Sequence, residues 1–139
     1  MNVTLSPREA GVLSEVSGRA LQGARELARF QETDPGLAGA CGIETGALEA
    51  RTIMGGGAVG RLWETSTAAY RSGRPAVVRR EDLDELSRLE GVLSLGASRI
   101  GQKVAELDGA QSQGEDLGAK LSGLIQLATG AIGLWKSIF

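Results

Sequence analysis

Residues 83–107 read LDELSRLEGVLSLGASRIGQKVAEL, and the spacing of their apolar side chains decides the fold. Counted in sevens from Leu83, the first positions are Leu83, Glu90, Ala97 and Val104, and the fourth positions are Leu86, Leu93, Ile100 and Leu107. Apolar residues at those two positions share one face of an α-helix, whereas a strand would show alternation in twos. Beyond the polar patch Asp108–Gly114 the same phase returns, with Ile125 and Ile132 at first positions and Leu121, Ala128 and Trp135 at fourth positions. A loop has no reason to keep that phase, and a continuous helix keeps it without further cause. The pattern predicts one helix over about residues 80–138, about 85 Å long at ~1.5 Å per residue. The alternative is a helical hairpin turning at 109–114, where Gly109 and Gly114 ease a reversal.

The end of that stretch, residues 117–139, reads LGAKLSGLIQLATGAIGLWKSIF. Fifteen uncharged residues lie between Lys120 and Lys136, and twelve apolar side chains cover well over half of a helical wheel. So much apolar surface exceeds the few hundred Å² that a monomer normally leaves bare, so something has to cover it. Three covers are conceivable. The helix is buried against protein, it lies in a lipid headgroup layer with Trp135 and Lys136 at the boundary, or it spans a bilayer. A span is marginal, because fifteen clean residues fall short of the ~18–20 required unless both lysines snorkel.

Working back toward the start, Ser6-Pro7-Arg8-Glu9 is a capping box with proline at the first helical position. Leu13, Val16, Ala20, Gly23, Leu27 and Phe30 follow at three- and four-residue spacing, which predicts a first helix over about residues 6–32. Thr33-Asp34-Pro35-Gly36 ends it, and residues 36–46 read as a loop or short helical turn. A second helix is expected over about residues 47–71, burying Leu48, Met54, Val59, Leu62, Trp63, Ala69 and Tyr70. Gly55-Gly56-Gly57 within it predicts a kink, a break or a very close neighbour, since each interior Gly costs about 1 kcal/mol against Ala. Ser72-Gly73-Arg74-Pro75 then punctuates the chain. The expected fold class is all-α, a helical hairpin or bundle with a long C-terminal helix. An N-terminal helical region is expected over 1–75 and the heptad-patterned part over 76–139.

Composition agrees with helices: aromatics are 4% of the 139 residues and Gly numbers 21, so the core is expected to be aliphatic with close backbone approaches. The net charge of -2 disfavours a nucleic-acid partner. The single cysteine, Cys41, cannot form an internal disulfide, and the first residues show no Sec-type signal pattern. Both features point to a cytoplasmic setting or to membership of a macromolecular assembly, with a membrane surface as the alternative.

Histidine is absent, which removes the commonest general base and most zinc sites. The acids Glu81, Asp82, Asp84 and Glu85 sit where a helix begins and complement its dipole. Gly55-Gly56-Gly57-Ala58-Val59-Gly60 fits the spacing of a dinucleotide-binding loop, but that chemistry needs a preceding strand, and Leu48–Met54 carries two charges. No enzyme activity, cofactor, metal or small-molecule substrate is therefore expected. The expectation is a structural or interaction protein that forms a homo-oligomer or binds a protein partner, as in phage-particle, secretion-apparatus or adaptor components. Its seam would be Leu86, Leu93, Ile100, Leu107, Leu121, Ile125, Ile132 and Trp135, with Glu90 and Gln111 fixing register. The competing class is a membrane-active or membrane-anchored protein, a pore former or holin-like or tail-anchored chain, that uses residues 117–139.

Overall fold

The computed structural model describes residues 1–110, apart from the side chains of Val104 and residues 107–110. The chain is predominantly α-helical. In order it forms β1 (Asn2–Leu5), α1 (Pro7–Thr33), α2 (Pro35–Cys41), α3 (Glu44–Gly55), α4 (Ala58–Ser72), β2 (Ala76–Arg79) and α5 (Arg80–Ala110). One core joins α1, α3, α4 and α5, with Leu5 and Val78 closing one end.

The first helix starts as its capping box requires. Ser6 Oγ accepts from the Glu9 amide at 3.2 Å, and the Ser6 amide donates to Glu9 Oε1 at 2.9 Å. Ala10, Leu13, Val16, Ala20, Ala24, Leu27 and Phe30 then form its buried stripe. Two serines enter the core and are satisfied by their own helices. Ser17 Oγ donates to the Leu13 carbonyl at 2.7 Å, and Ser66 Oγ to the Leu62 carbonyl at 2.5 Å. Pro35 begins α2, which ends on Gly42 at φ 71°.

The helix expected over 47–71 is two helices. It starts at Glu44 and stops at Gly55, and α4 sets off in a new direction from Gly57, whose φ of 73° is left-handed. Of the glycine triplet, Gly57 makes the turn, because a positive φ costs a residue with a Cβ about 1–2 kcal/mol. The break also resets the helical phase. In α3 the core face is Ala47, Ala50 and Ile53, so Leu48 points outward and is exposed, contrary to its expected burial. Val59 and Leu62 are buried in α4, whereas Met54 and Ala69 are half-buried and Trp63 and Tyr70 are exposed.

Those two aromatics cover glycines of α1. A methyl group added at Gly11 would meet the Tyr70 ring at 2.6 Å, and one at Gly18 would meet the Trp63 indole at 3.1 Å. Between them Ser14 faces Thr67. The helices therefore run antiparallel in a seven-residue register, so close that a Cβ at Gly11 would force the Tyr70 ring to move and one at Gly18 would press on the Trp63 indole.

A two-stranded ribbon was not expected from the sequence. β1 and β2 pair antiparallel, from Asn2 opposite Arg79 to Leu5 opposite Ala76, and the Arg80 amide donates to the Met1 carbonyl at 3.0 Å. The ribbon delivers the chain directly into α5. There the buried set is Leu83, Leu86, Leu89, Val92, Leu93, Ala97 and Ile100, with Asp82 and Glu90. That face is wider than a two-position heptad seam, which is what a helix shows when one side of it packs against several others, here α1, α2, α3 and α4.

Candidate functional site

The eight expected seam residues do not share one environment. Leu86, Leu93 and Ile100 are 0, 2 and 1% exposed, and they face the chain's own core rather than an external surface. Glu90 is buried beside them at 8% exposure. Leu107 lies on α5, but its side chain falls outside the described residues, as do Leu121, Ile125, Ile132, Trp135 and the register residue Gln111. The question whether the helix continues or turns at 109–114 also falls largely outside them. Within the described part, α5 stays helical through Asp108, Gly109 and Ala110.

Among the described side chains Ile100 is the last large buried core residue of α5, and the helix continues for ten residues to Ala110. Gln102, Ala105 and Glu106 are exposed there, while Gly101 and Lys103 are half-buried. On the outward side of α5, Ser87, Gly91, Ser94, Leu95 and Ser98 are exposed. A Cβ added at Gly91 would meet nothing within 4 Å. The arginines bordering this face are turned aside. Arg88 reaches Glu85 at 3.0 Å and Glu49 at 3.5 Å, and Arg99 donates to the Gly42 carbonyl at the end of α2.

A polar cleft of about 360 Å³ opens where α3, α4 and the start of α5 meet. Its charged lining is Arg61, Arg79, Arg88, Glu81, Asp82 and Glu85. Arg61 forks onto Asp82, with Nη2 at 3.2 Å from Oδ1 and Nε at 3.4 Å from Oδ2. This hydrogen bond and the Asp82 charge raise the guanidinium pKa further. Glu81 accepts from the terminal amine at 3.5 Å and pairs with Arg79 at 3.4 Å. Its carboxyl is held below the usual range, first by a hydrogen bond from its own backbone amide and then by the charge of the terminal amine. Arginines and carboxylates balance across the cleft, so it selects no ligand by charge.

Other candidate chemistry is placed as follows. Cys41 is buried, and desolvation pushes its thiol pKa up, away from the reactive thiolate. Residues 50–54 lie within α3, so no strand leads into the glycine loop, and the dinucleotide-binding context is missing. Among the described residues no group of three or more Cys, Asp and Glu side chains could hold a metal ion. None of the described helices is long and apolar enough to cross a membrane. No protein family, curated protein or solved structure matches this chain.

Proposed function

We propose that the chain is a non-enzymatic helical interaction protein that self-associates, or joins a larger assembly, through its apolar segment 117–139. One observation carries this reading. The described core face of α5, from Leu83 to Ile100, is already covered by the chain's own helices and cannot serve as an outer seam, so the apolar row that keeps the same sequence phase beyond Ala110 is left to supply one. A segment with twelve apolar side chains and two lysines needs a cover, and protein supplies one without desolvating charge.

The test is the native mass of the full chain with and without mild detergent, alongside flotation with anionic liposomes. The reading expects a discrete oligomer in water, no flotation, and a smaller particle when the chain is cut after Gly114. Flotation of the full chain but not of the shortened one would replace it with the membrane-active alternative. A monomer in water that does not float would end both.

A further inference from the structure

We propose that Gly57 is the hinge of a second form of this chain, in which residues 44–72 straighten into one helix and β1–α3 of one copy packs on α4–α5 of another. The segment 117–139 takes no part in this exchange, so the inference goes beyond the self-association reading above and does not depend on it.

The junction is one residue short of being helical. Gly55 ends α3, Gly56 is right-handed at φ -72° and ψ -17°, and Ala58 begins α4, so Gly57 at φ 73° is the residue that breaks the run. The break forgoes hydrogen bonds. The opening amides of a helix have no partner within it. Here α4 starts without a side-chain cap, and its first two residues, Ala58 and Val59, are buried. The Gly56 carbonyl takes Arg61 Nη1 at 3.3 Å instead of a helical amide. With Gly57 turned to right-handed backbone, the Ala58, Val59 and Gly60 amides would donate to the carbonyls of Met54, Gly55 and Gly56.

The side chains are patterned for the straight form as well. Leu48, Trp63 and Tyr70 are exposed at 66, 41 and 59%. A single helix over 44–72 would carry Leu48 onto the face of Val59, Leu62, Trp63 and Tyr70, all within about 100° of one another. That stripe exists only when the two helices are joined, and it gives the paired copies a contact that the closed chain lacks.

The partner is a second copy because the surfaces uncovered by opening already fit one another. α3 packs on α1 and α5 more than on α4, so opening at Gly57 gives up little besides the junction itself. The contacts of α1 with α4, of α3 with α5 and of β1 with β2 are remade between two copies by the same residues, and a two-fold axis closes the pair.

The experiment uses the full chain carrying Ser14→Cys and Thr67→Cys, at positions whose hydroxyls lie 2.5 Å apart between α1 and α4. Oxidation joins the two within one chain in the closed form and between chains in the exchanged form, as a non-reducing gel reads directly. Association through 117–139 leaves the bond within one chain, and Cys41, being buried, stays out of it. With Gly57 in place, dilute refolding is expected to give the internal bond, and the share between chains should rise with protein concentration. Gly57→Ala penalises the left-handed turn and suits a straight helix, so it should raise that share at least tenfold. Gly57→Asn tolerates the turn and should behave as the native hinge. A folded Gly57→Ala chain whose disulfide stays internal would overturn the proposal. If that variant does not fold, the concentration series decides, and a bond that is internal at every concentration overturns it equally. No disulfide of either kind would contradict the α1–α4 contact that both forms share, and would end the proposal with it.

Discussion

The hydroxyl oxygens of Ser14 and Thr67 lie 2.5 Å apart, midway between the ring of Tyr70 over Gly11 and the indole of Trp63 over Gly18. Three contacts spaced by three or four residues set the sliding position of α1 against α4, and only the middle one is polar. Ser14→Ala or Thr67→Ala alone should cost about 0.5–1.5 kcal/mol, the usual net value of one hydrogen bond. The double variant should cost less than the sum, because the lone hydroxyl left by each single change is removed. Urea unfolding of the four proteins measures the coupling, and strict additivity would show that the two hydroxyls do not act as a pair.

The glycine triplet separates into positions with opposite responses. Gly57→Ala should destabilise by about 1–2 kcal/mol, because its left-handed backbone penalises a Cβ and the added atom would meet Arg61 at 3.3 Å. Gly56→Ala should be neutral or mildly stabilising, since Gly56 is right-handed and an added Cβ makes only an ordinary contact at 3.5 Å. Thermal melts compare the two, and equal losses would contradict the assignment of the turn to Gly57.

The Arg61–Asp82 fork should respond unequally to its two deletions. The Asp82 side chain is 8% exposed and that of Arg61 is 54% exposed, so Arg61→Ala strands a buried carboxylate while Asp82→Asn leaves the guanidinium in water. Arg61→Ala is expected to lower the melting temperature more, and adding Asp82→Asn to it should recover part of the loss. No recovery in the double variant would mean that Arg61 acts through packing instead.

Acid should loosen the first turn of α1. Glu9 is held below its ordinary pKa by the Ser6 amide first and the Ser6 hydroxyl second, so its folded value is depressed relative to the unfolded chain. The resulting stability is fully present above the unfolded value and is lost as pH falls through the folded one. Glu9→Gln should flatten that part of the pH–stability curve, read as denaturation midpoints between neutral pH and about pH 3. Ser6→Ala should cost about 1 kcal/mol at neutral pH through the lost cap.

Folding and assembly should separate along the heptad row. Leu86→Ala or Leu93→Ala should cost about 2–5 kcal/mol, since both side chains are enclosed in the core. Ile125→Asp and Ile132→Asp should instead break assembly, with the melting transition of the body kept. A variant at 125 or 132 that retains wild-type mass would place the contact elsewhere.

What the sequence revealed depended on how local the cause was. The start of α1 was legible because Ser6, Pro7 and Glu9 are adjacent, and the helix was placed within one residue at each end. The helical face of α5 was legible from its period. What covers Leu86, Leu93 and Ile100 was not, because the same spacing serves a private core or a partner. The wider buried set, with Leu89 and Val92 added, is the feature that distinguishes them. Trp63 and Tyr70 read as core residues because large aromatics at helical spacing usually are. Their positions over Gly18 and Gly11 depend on a partner helix more than forty residues away. The ribbon escaped notice for the same reason, since each strand is four residues long and too short to show a period.

That ribbon also dictates an order of events during folding. β1 is at the start of the chain, and its partner β2 follows only after four helices, so pairing Leu5 with Ala76 closes a loop of about seventy residues at an entropic cost that no local contact offsets. Once α1 has zipped onto α4, the two strands are already neighbours and the closure becomes cheap. The ribbon is therefore expected to act as a latch that shuts last. Protection of its amides during refolding should lag behind that of the helices it fastens, and a nascent chain cannot shut it until residue 79 has been made.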